Sequence, residues 1–205
     1  TQSIDNPSLV DKLTPAQSEL YNTLKLFPKE HIAELSTSML TSYYTPDHIA
    51  QAMTDQMLGF LRRASDKKIS ILEPSAGNGK FITAIKDSNV SVTAIEKEPL
   101  SAQILTHNLK SLDIDTNVIN APFQKVEPKG FDMVIGNVPF GDFPVFDKYT
   151  QNLKSTYQGK IHSFFFVRAI EQTNPGGLIG LITTSSMIDQ SSTMNLRRYI
   201  VENTD

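Results

Sequence analysis

The chain has 205 residues, 39% of them hydrophobic and 20% charged; these proportions exclude a disordered or fibrous polymer and predict a globular core that needs no covalent staple. It contains no cysteine, which removes disulfides, thiolate nucleophiles and cysteine-based zinc sites together, and suits a reducing cytoplasm. With 19 basic and 22 acidic residues the net charge is −3, so a nucleic-acid partner must be held locally or by sequence outside this chain.

The N-terminus, TQSIDNPSLVDKL, lacks the basic and apolar layout of a signal peptide. The apolar runs FFFV and LIGLI fall far short of a membrane span of about 20 residues, so a soluble cytoplasmic protein is expected. Residues 1–43 read as a helical arm: Thr14-Pro15-Ala16-Gln17 has capping-box spacing, and Leu20, Tyr21 and Leu24 share one face. Thr45-Pro46-Asp47 opens a second helix, with Ile49, Ala50, Met53, Met57, Leu58 and Leu61 along one side. That helix is expected to stop before the basic cluster Arg62, Arg63, Lys67 and Lys68, read as a solvated end that complements the helix dipole.

From Lys68 onward, short β-rich runs alternate with helical ones: strand 69–73, helix 79–87, strand 90–96, helix 99–112, strand 116–120 and strand 131–135. This alternation predicts a parallel, doubly wound sheet with right-handed crossovers. Residues 136–159 are rich in Pro, Gly and aromatic residues and read as one long functional loop. A helix at 162–173, a Pro175-Gly176-Gly177 turn, a fifth strand at 178–183 and a final helix at 193–201 complete the pattern. Phe164, Phe165 and Phe166 are expected to bury against the sheet.

Three segments carry chemistry. In ILEPSAGNGKF a Gly-x-Gly follows a strand and opens a helix, the arrangement that lets backbone approach a ligand closely. Position 82 is Ile, so the third glycine of a dinucleotide fingerprint is missing and NAD is disfavoured. Glu96 ends the next strand about twenty residues on, where a carboxylate can accept both hydroxyls of a ribose. Asn137-Val138-Pro139-Phe140 directly follows the apolar strand FDMVIG and offers an amide oxygen, an aimed carbonyl and a flat ring, a site for a planar amine. The four histidines show no ligand spacing, and no metal site is expected.

Together these segments resemble the class I S-adenosylmethionine-dependent N6-adenine DNA methyltransferases, whose signature is (D/N/S)-P-P-(Y/F); here Val replaces the first proline. Tyr44-Thr45-Pro46 ahead of the glycine motif is similar to the gamma arrangement of these enzymes. GNVPFGD is similar to phage and mobile-element proteins that join such a methylase to a helicase. The resemblance covers about residues 40–200, and 44–205 is expected to be the Rossmann-like catalytic domain.

Carried over by position, the resemblance implies that Tyr44, Thr45 and Pro46 border S-adenosylmethionine, with Glu73, Ala76, Gly77 and Gly79 around its methionine portion and Glu96 on its ribose. The family's Asp after the third strand is replaced by Asn120-Ala121-Pro122-Phe123, leaving backbone atoms and the ring of Phe123 for the cofactor adenine. Asn137 and the Val138 carbonyl would accept hydrogen bonds from the N6 amine, and Phe140 would stack on an adenine flipped from the duplex. Alternatives at this stage are another planar amine, in RNA or a protein glutamine, and a non-catalytic module that binds the cofactor or DNA within a larger machine. Because the resemblance implies seven strands, the chain is expected to stop short of a terminal hairpin and of a target-recognition domain, as a fragment of a longer parent.

Overall fold

A computed structural model describes residues 45–139, 145–157 and 160–205. The expected N-terminal arm, Tyr44 and Phe140 lie outside the described residues. Helix α1 (Asp47–Ala64) leads into β1 (Ile69–Glu73), α2 (Lys80–Thr83), β2 (Val90–Glu96), α3 (Pro99–Leu109), β3 (Asp115–Asn120) and β4 (Phe131–Asn137). Then follow α4 (Lys154–Tyr157), α5 (Ile161–Glu171), β5 (Thr173–Ile182), α6 (Ser186–Asp189) and α7 (Met194–Asn203).

The strands form one five-stranded sheet in the order β3-β2-β1-β4-β5, and every pairing is parallel. Both faces are covered, so the central strands are apolar on both sides rather than alternating. On one face Ile71, Met133 and Ile135 pack with Ala50, Leu58 and Leu61 of α1, Phe81 of α2 and Leu105 of α3. On the other, Leu72, Ile95 and Val134 pack with Phe164, Phe165 and Val167 of α5 and Leu196 of α7. The expected burial of Phe164 and Phe165 is therefore met. Gly180 shows why α1 can lie against β5: a Cβ there would sit 2.4 Å from Met57 Sδ and 3.4 Å from Met53 Cε.

Several boundaries differ from the sequence reading. Helix α1 runs on through Arg62 and Arg63, and Arg62 is a clamp rather than a solvated end. Its guanidinium bonds Asp87 Oδ2 (2.5 Å), Lys67 O (2.5 Å) and Asn89 O (2.7 Å). Asp87 also accepts from Asn89 N–H (2.8 Å), so its carboxylate holds the loop before β2 and α2 ends at Thr83 instead of Asp87. Helix α3 ends at Leu109, and β4 extends two residues beyond expectation, to Asn137. The Pro175-Gly176-Gly177 turn is a bulge inside β5: Phe131 and Met133 face Thr173 and Leu178, so two steps along β4 match five along β5. Gly176 has φ +78°, and a Cβ on Gly177 would lie 2.9 Å from the carbonyl oxygens of Asn174 and Asp132.

Asp132 ties this bulge to the sheet. Its carboxylate accepts Ser70 N–H (2.9 Å), Ser70 Oγ (2.7 Å) and Asn174 Nδ2 (3.0 Å). Burial alone would raise its pKa, but these donors, with Lys67 nearby, outweigh it and hold the carboxyl below its usual range. Its stabilisation is therefore complete above the ordinary carboxylate value and is lost as pH falls through the lower folded one. Asp132→Ala should cost about 2 kcal/mol in urea unfolding at pH 7, and the gap to the parent should close in acid; a gap that persists undiminished in acid contradicts this role.

Candidate active site

The last residues of β1, β2, β3 and β4 are Glu73, Glu96, Asn120 and Asn137, so four polar side chains line the carboxyl edge of the sheet. Chain order reverses between β1 and β4, and a crevice outside the strand ends at such a switch point is where open α/β sheets bind ligands.

The turn from β1 to α2 is held in place by its neighbours. Ala76 N–H donates to Ile95 O (2.9 Å), Gly77 N–H to Glu96 Oε2 (2.8 Å) and Asn108 Nδ2 to Asn78 O (3.1 Å). Gly77 and Gly79 have φ of +54° and +83°. They serve different ends. A Cβ on Gly77 would meet nothing within 4 Å, leaving the backbone open to a ligand, whereas one on Gly79 would lie 2.6 Å from Leu105 Cδ1, so Gly79 lets α3 pack closely.

Glu96 is buried, and each of its oxygens accepts a backbone N–H, Oε2 from Gly77 and Oε1 from Glu98, both at 2.8 Å. Asn120 Nδ2 secures the same corner by donating to Glu96 O (2.8 Å) and Lys97 O (3.2 Å). Glu73 is only 2% exposed, and its Oε2 has no hydrogen-bond partner. Burial, and after it repulsion from Glu96, push its pKa well above the ordinary carboxylate value.

Asn137 joins three elements. Its Nδ2 donates to Thr45 Oγ1 (3.4 Å) just ahead of α1, and its carbonyl accepts Ser75 Oγ (2.8 Å) from the glycine turn. Pro46 caps α1, its carbonyl accepting Ile49 N–H and Ala50 N–H. Thr45, Ala76, Gly77, Gly79, Glu96 and Asn137 are thus linked through one network of loops, and Glu73 is buried at the end of β1. Val138 is buried and its N–H donates to Ile182 O (3.1 Å), a bond that proline could not make. The β4–β5 ladder therefore continues one residue into the turn and fixes it where the ring of a proline otherwise would. Pro139 follows, half-buried. Phe123 is buried, its ring 5.1 Å from that of Phe165 and 5.8 Å from that of Phe164.

Arg168 was not visible as functional, although it is the one charged residue inside the apolar run FFFVRAI. Fully buried, its Nε lies 3.4 Å from Asp147 Oδ2 and its Nη2 donates to Val126 O (2.8 Å). The guanidinium sits 5.1 Å from the Phe123 ring centroid and 5.2 Å from that of Tyr149. One cation thereby ties together the turn after β3, the segment after the Asn-Val-Pro turn, and α5.

The profile of the Eco57I restriction-modification methylase family matches residues 21–205. The chain belongs to this family. It is 30% identical over 166 residues to the defence against restriction protein B of Escherichia phage P1, covering 77% of this chain and 7% of that protein. To the type II methyltransferase M.HincII of Haemophilus influenzae it is 24% identical over 180 residues, covering 80% of this chain and 32% of that one. A crystal structure of a Listeria monocytogenes protein assigned to the class I S-adenosylmethionine-dependent methyltransferases matches with a TM-score of 0.69 at 19% identity, over 95% of this chain and 69% of that one. The likeness establishes the Rossmann-like fold. This Eco57I-family chain spans about a third or less of the length of the curated relatives it matches. Among the described residues no helix is long and apolar enough to cross a membrane, and no cluster of His, Asp or Glu is suited to a metal ion.

Two substitutions test the local physics. A carboxyl whose folded pKa is raised stabilises the fold fully below its unfolded pKa and loses that contribution as pH rises through the folded one. Glu73→Gln should therefore raise the melting temperature of the ligand-free chain at pH 8 and leave it nearly unchanged at pH 4; a lower melting temperature at pH 8 would show that the ionised carboxylate is compensated. Val138→Pro should cost about 1–3 kcal/mol in urea unfolding by leaving Ile182 O without its donor; a variant as stable as the parent contradicts that account.

Proposed function

We propose that the protein to which this chain belongs transfers a methyl group from S-adenosylmethionine to the N6 amine of adenine in DNA. The observation that carries this reading is the placement, on the carboxyl edge of one parallel sheet, of a carboxylate braced by two backbone N–H groups (Glu96) and an asparagine that opens an Asn-Val-Pro turn (Asn137). Family membership and similarity to a type II methyltransferase support the reaction class.

The residues suit the cofactor. Gly77 leaves open space beside the glycine turn, and Glu73 carries a buried carboxylate oxygen without a hydrogen-bond partner, suited to a cationic group. In this reading Glu96 accepts the ribose hydroxyls with its remaining lone pairs, since each oxygen already takes one backbone donor. Glu73 and the backbone of Ala76 and Gly77 receive the methionine portion, and Thr45 and Pro46 border it. The cofactor supplies an electrophilic methyl group. Backbone around Asn120 to Pro122 and the ring of Phe123 receive the cofactor adenine.

An exocyclic amine is a poor nucleophile because its lone pair is delocalised into the ring. Asn137 Oδ1 and the Val138 carbonyl accept its two hydrogens, which favours a pyramidal nitrogen with its lone pair directed out of the ring plane. Phe140 supplies the stacking face by its place in the motif. No strong base is required, because the amine becomes a good proton donor only after it is alkylated and then gives one proton to water. Alignment of nucleophile and methyl group is a proximity effect that contributes several kcal/mol, about 7–11 in ideal cases. Target selection falls to further segments of a longer parent chain.

Asn137→Ala should leave cofactor affinity in calorimetry nearly unchanged and abolish methyl transfer to unmethylated DNA; a fully active variant contradicts the assignment. Glu96→Ala should weaken cofactor binding by about 1–3 kcal/mol. Equal affinity in parent and variant would place the nucleoside elsewhere.

A further inference from the structure

Beyond the amine turn, burial alternates along the chain: Val145 is 5% exposed, Phe146 72% and Asp147 1%, and Lys148 is exposed again. The inward residues are fixed. Val145 belongs to the core on the α5 face of the sheet. Asp147 accepts Thr150 Oγ1 (2.6 Å) and Tyr149 N–H (3.1 Å) and pairs with the buried Arg168. The outward residues are an aromatic ring and an ammonium two positions on, the latter 4.7 Å from the Tyr149 ring centroid.

A single exposed apolar side chain is ordinary on a protein surface, but one held out by buried residues on both sides is constrained. Phe123, Phe164 and Phe165 form an aromatic cluster in the same core that holds Val145. Phe146 cannot join it, because Asp147 and Val145 fix the backbone on either side. A ring turned out to water, with a cation two positions on, fits the pairing that stacks on an unpaired base and neutralises the adjoining phosphate. Side chains of this kind also enter base steps that have been opened by distortion of the duplex. A net charge of −3 leaves such affinity to local contacts of this sort.

We propose that Phe146 and Lys148 form a DNA contact in which the ring stacks on a base exposed when the target adenine leaves the duplex and the ammonium meets a backbone phosphate. The proposal rests on the reading that the site at Asn137, nine residues earlier in the chain, acts on a DNA base, but it is tested by binding rather than by chemistry.

The test uses the full 205-residue chain at low ionic strength, with fluorescence anisotropy of labelled duplex DNA carrying a mismatched adenine, the matched duplex, and single-stranded RNA of the same sequence. Phe146→Ala should weaken binding to the mismatched duplex about tenfold and Phe146→Trp should restore it, with circular dichroism unchanged for both. Lys148→Gln should reduce the slope of log affinity against log salt by about one. Parent-like binding by Phe146→Ala, no DNA binding by the parent, or tighter binding of the RNA would each overturn the proposal. Loss of binding in Phe146→Ala together with absence of adenine methylation by the longer protein to which the chain belongs would uphold the contact and overturn the methyltransferase reading; methylation by that protein with an unchanged KM for DNA in its Phe146→Ala variant would do the reverse.

Discussion

The carboxylate of Glu96 accepts one backbone N–H from the glycine turn and one from the start of the following loop, and the carboxyl edge of the sheet is arranged around that brace. A carboxylate is suited to the task because two oxygens with about four lone-pair sites can hold two backbone segments and still accept from a ligand. The parallel sheet supplies the position: β1 and β2 are in register from Ile69 and Val90 to Glu73 and Ala94, which brings both strand ends to one edge. Asn120 and Asn108 then secure the two loops from the outside. A ligand at this edge would meet groups already fixed in place, so little ordering entropy is lost on binding.

A second constraint acts from below. The Arg168 guanidinium is buried among Asp147, Val126 O and two aromatic rings, and burial pulls its pKa down while Asp147 opposes the shift. Breaking a buried pair of this kind is costlier than never having formed it, because the remaining charge has no water to turn to. The pair therefore restricts the chain on both sides of the candidate amine site to one arrangement. Glu73 is the counterexample. Its buried oxygen has no hydrogen-bond partner and its charge is disfavoured first by burial and then by Glu96, which is a cost in the ligand-free fold and an advantage toward a cationic ligand.

Much of this was legible in the amino-acid sequence. Strands β1 and β2 fall on the expected residues because β-branched runs are bounded there by charge and by turn residues, and the parallel order follows from strict alternation with helices. Asn137, Glu96 and the glycine turn lie on the sheet edge where a motif reading puts them. What was illegible depends on tertiary partners. Asp87 shortens α2 because Arg62, twenty-five residues earlier, reaches it. The bulge in β5 depends on Asp132 and Ser70 in two other strands. The place of Phe123 after β3 gives no sign that the aromatic residues of α5 pack against its ring. The valine within the Asn-Val-Pro turn reads as a loss of rigidity until its N–H is found on Ile182 O.

The most direct test of the account is a crystal structure of the chain with S-adenosylhomocysteine. In that structure the ribose hydroxyls are predicted to lie on Glu96, the amino group of the amino-acid portion to approach Glu73, and the thioether sulfur to point toward Asn137. A nucleoside bound away from the carboxyl edge of the sheet, or ribose hydroxyls with no contact to Glu96, would contradict it.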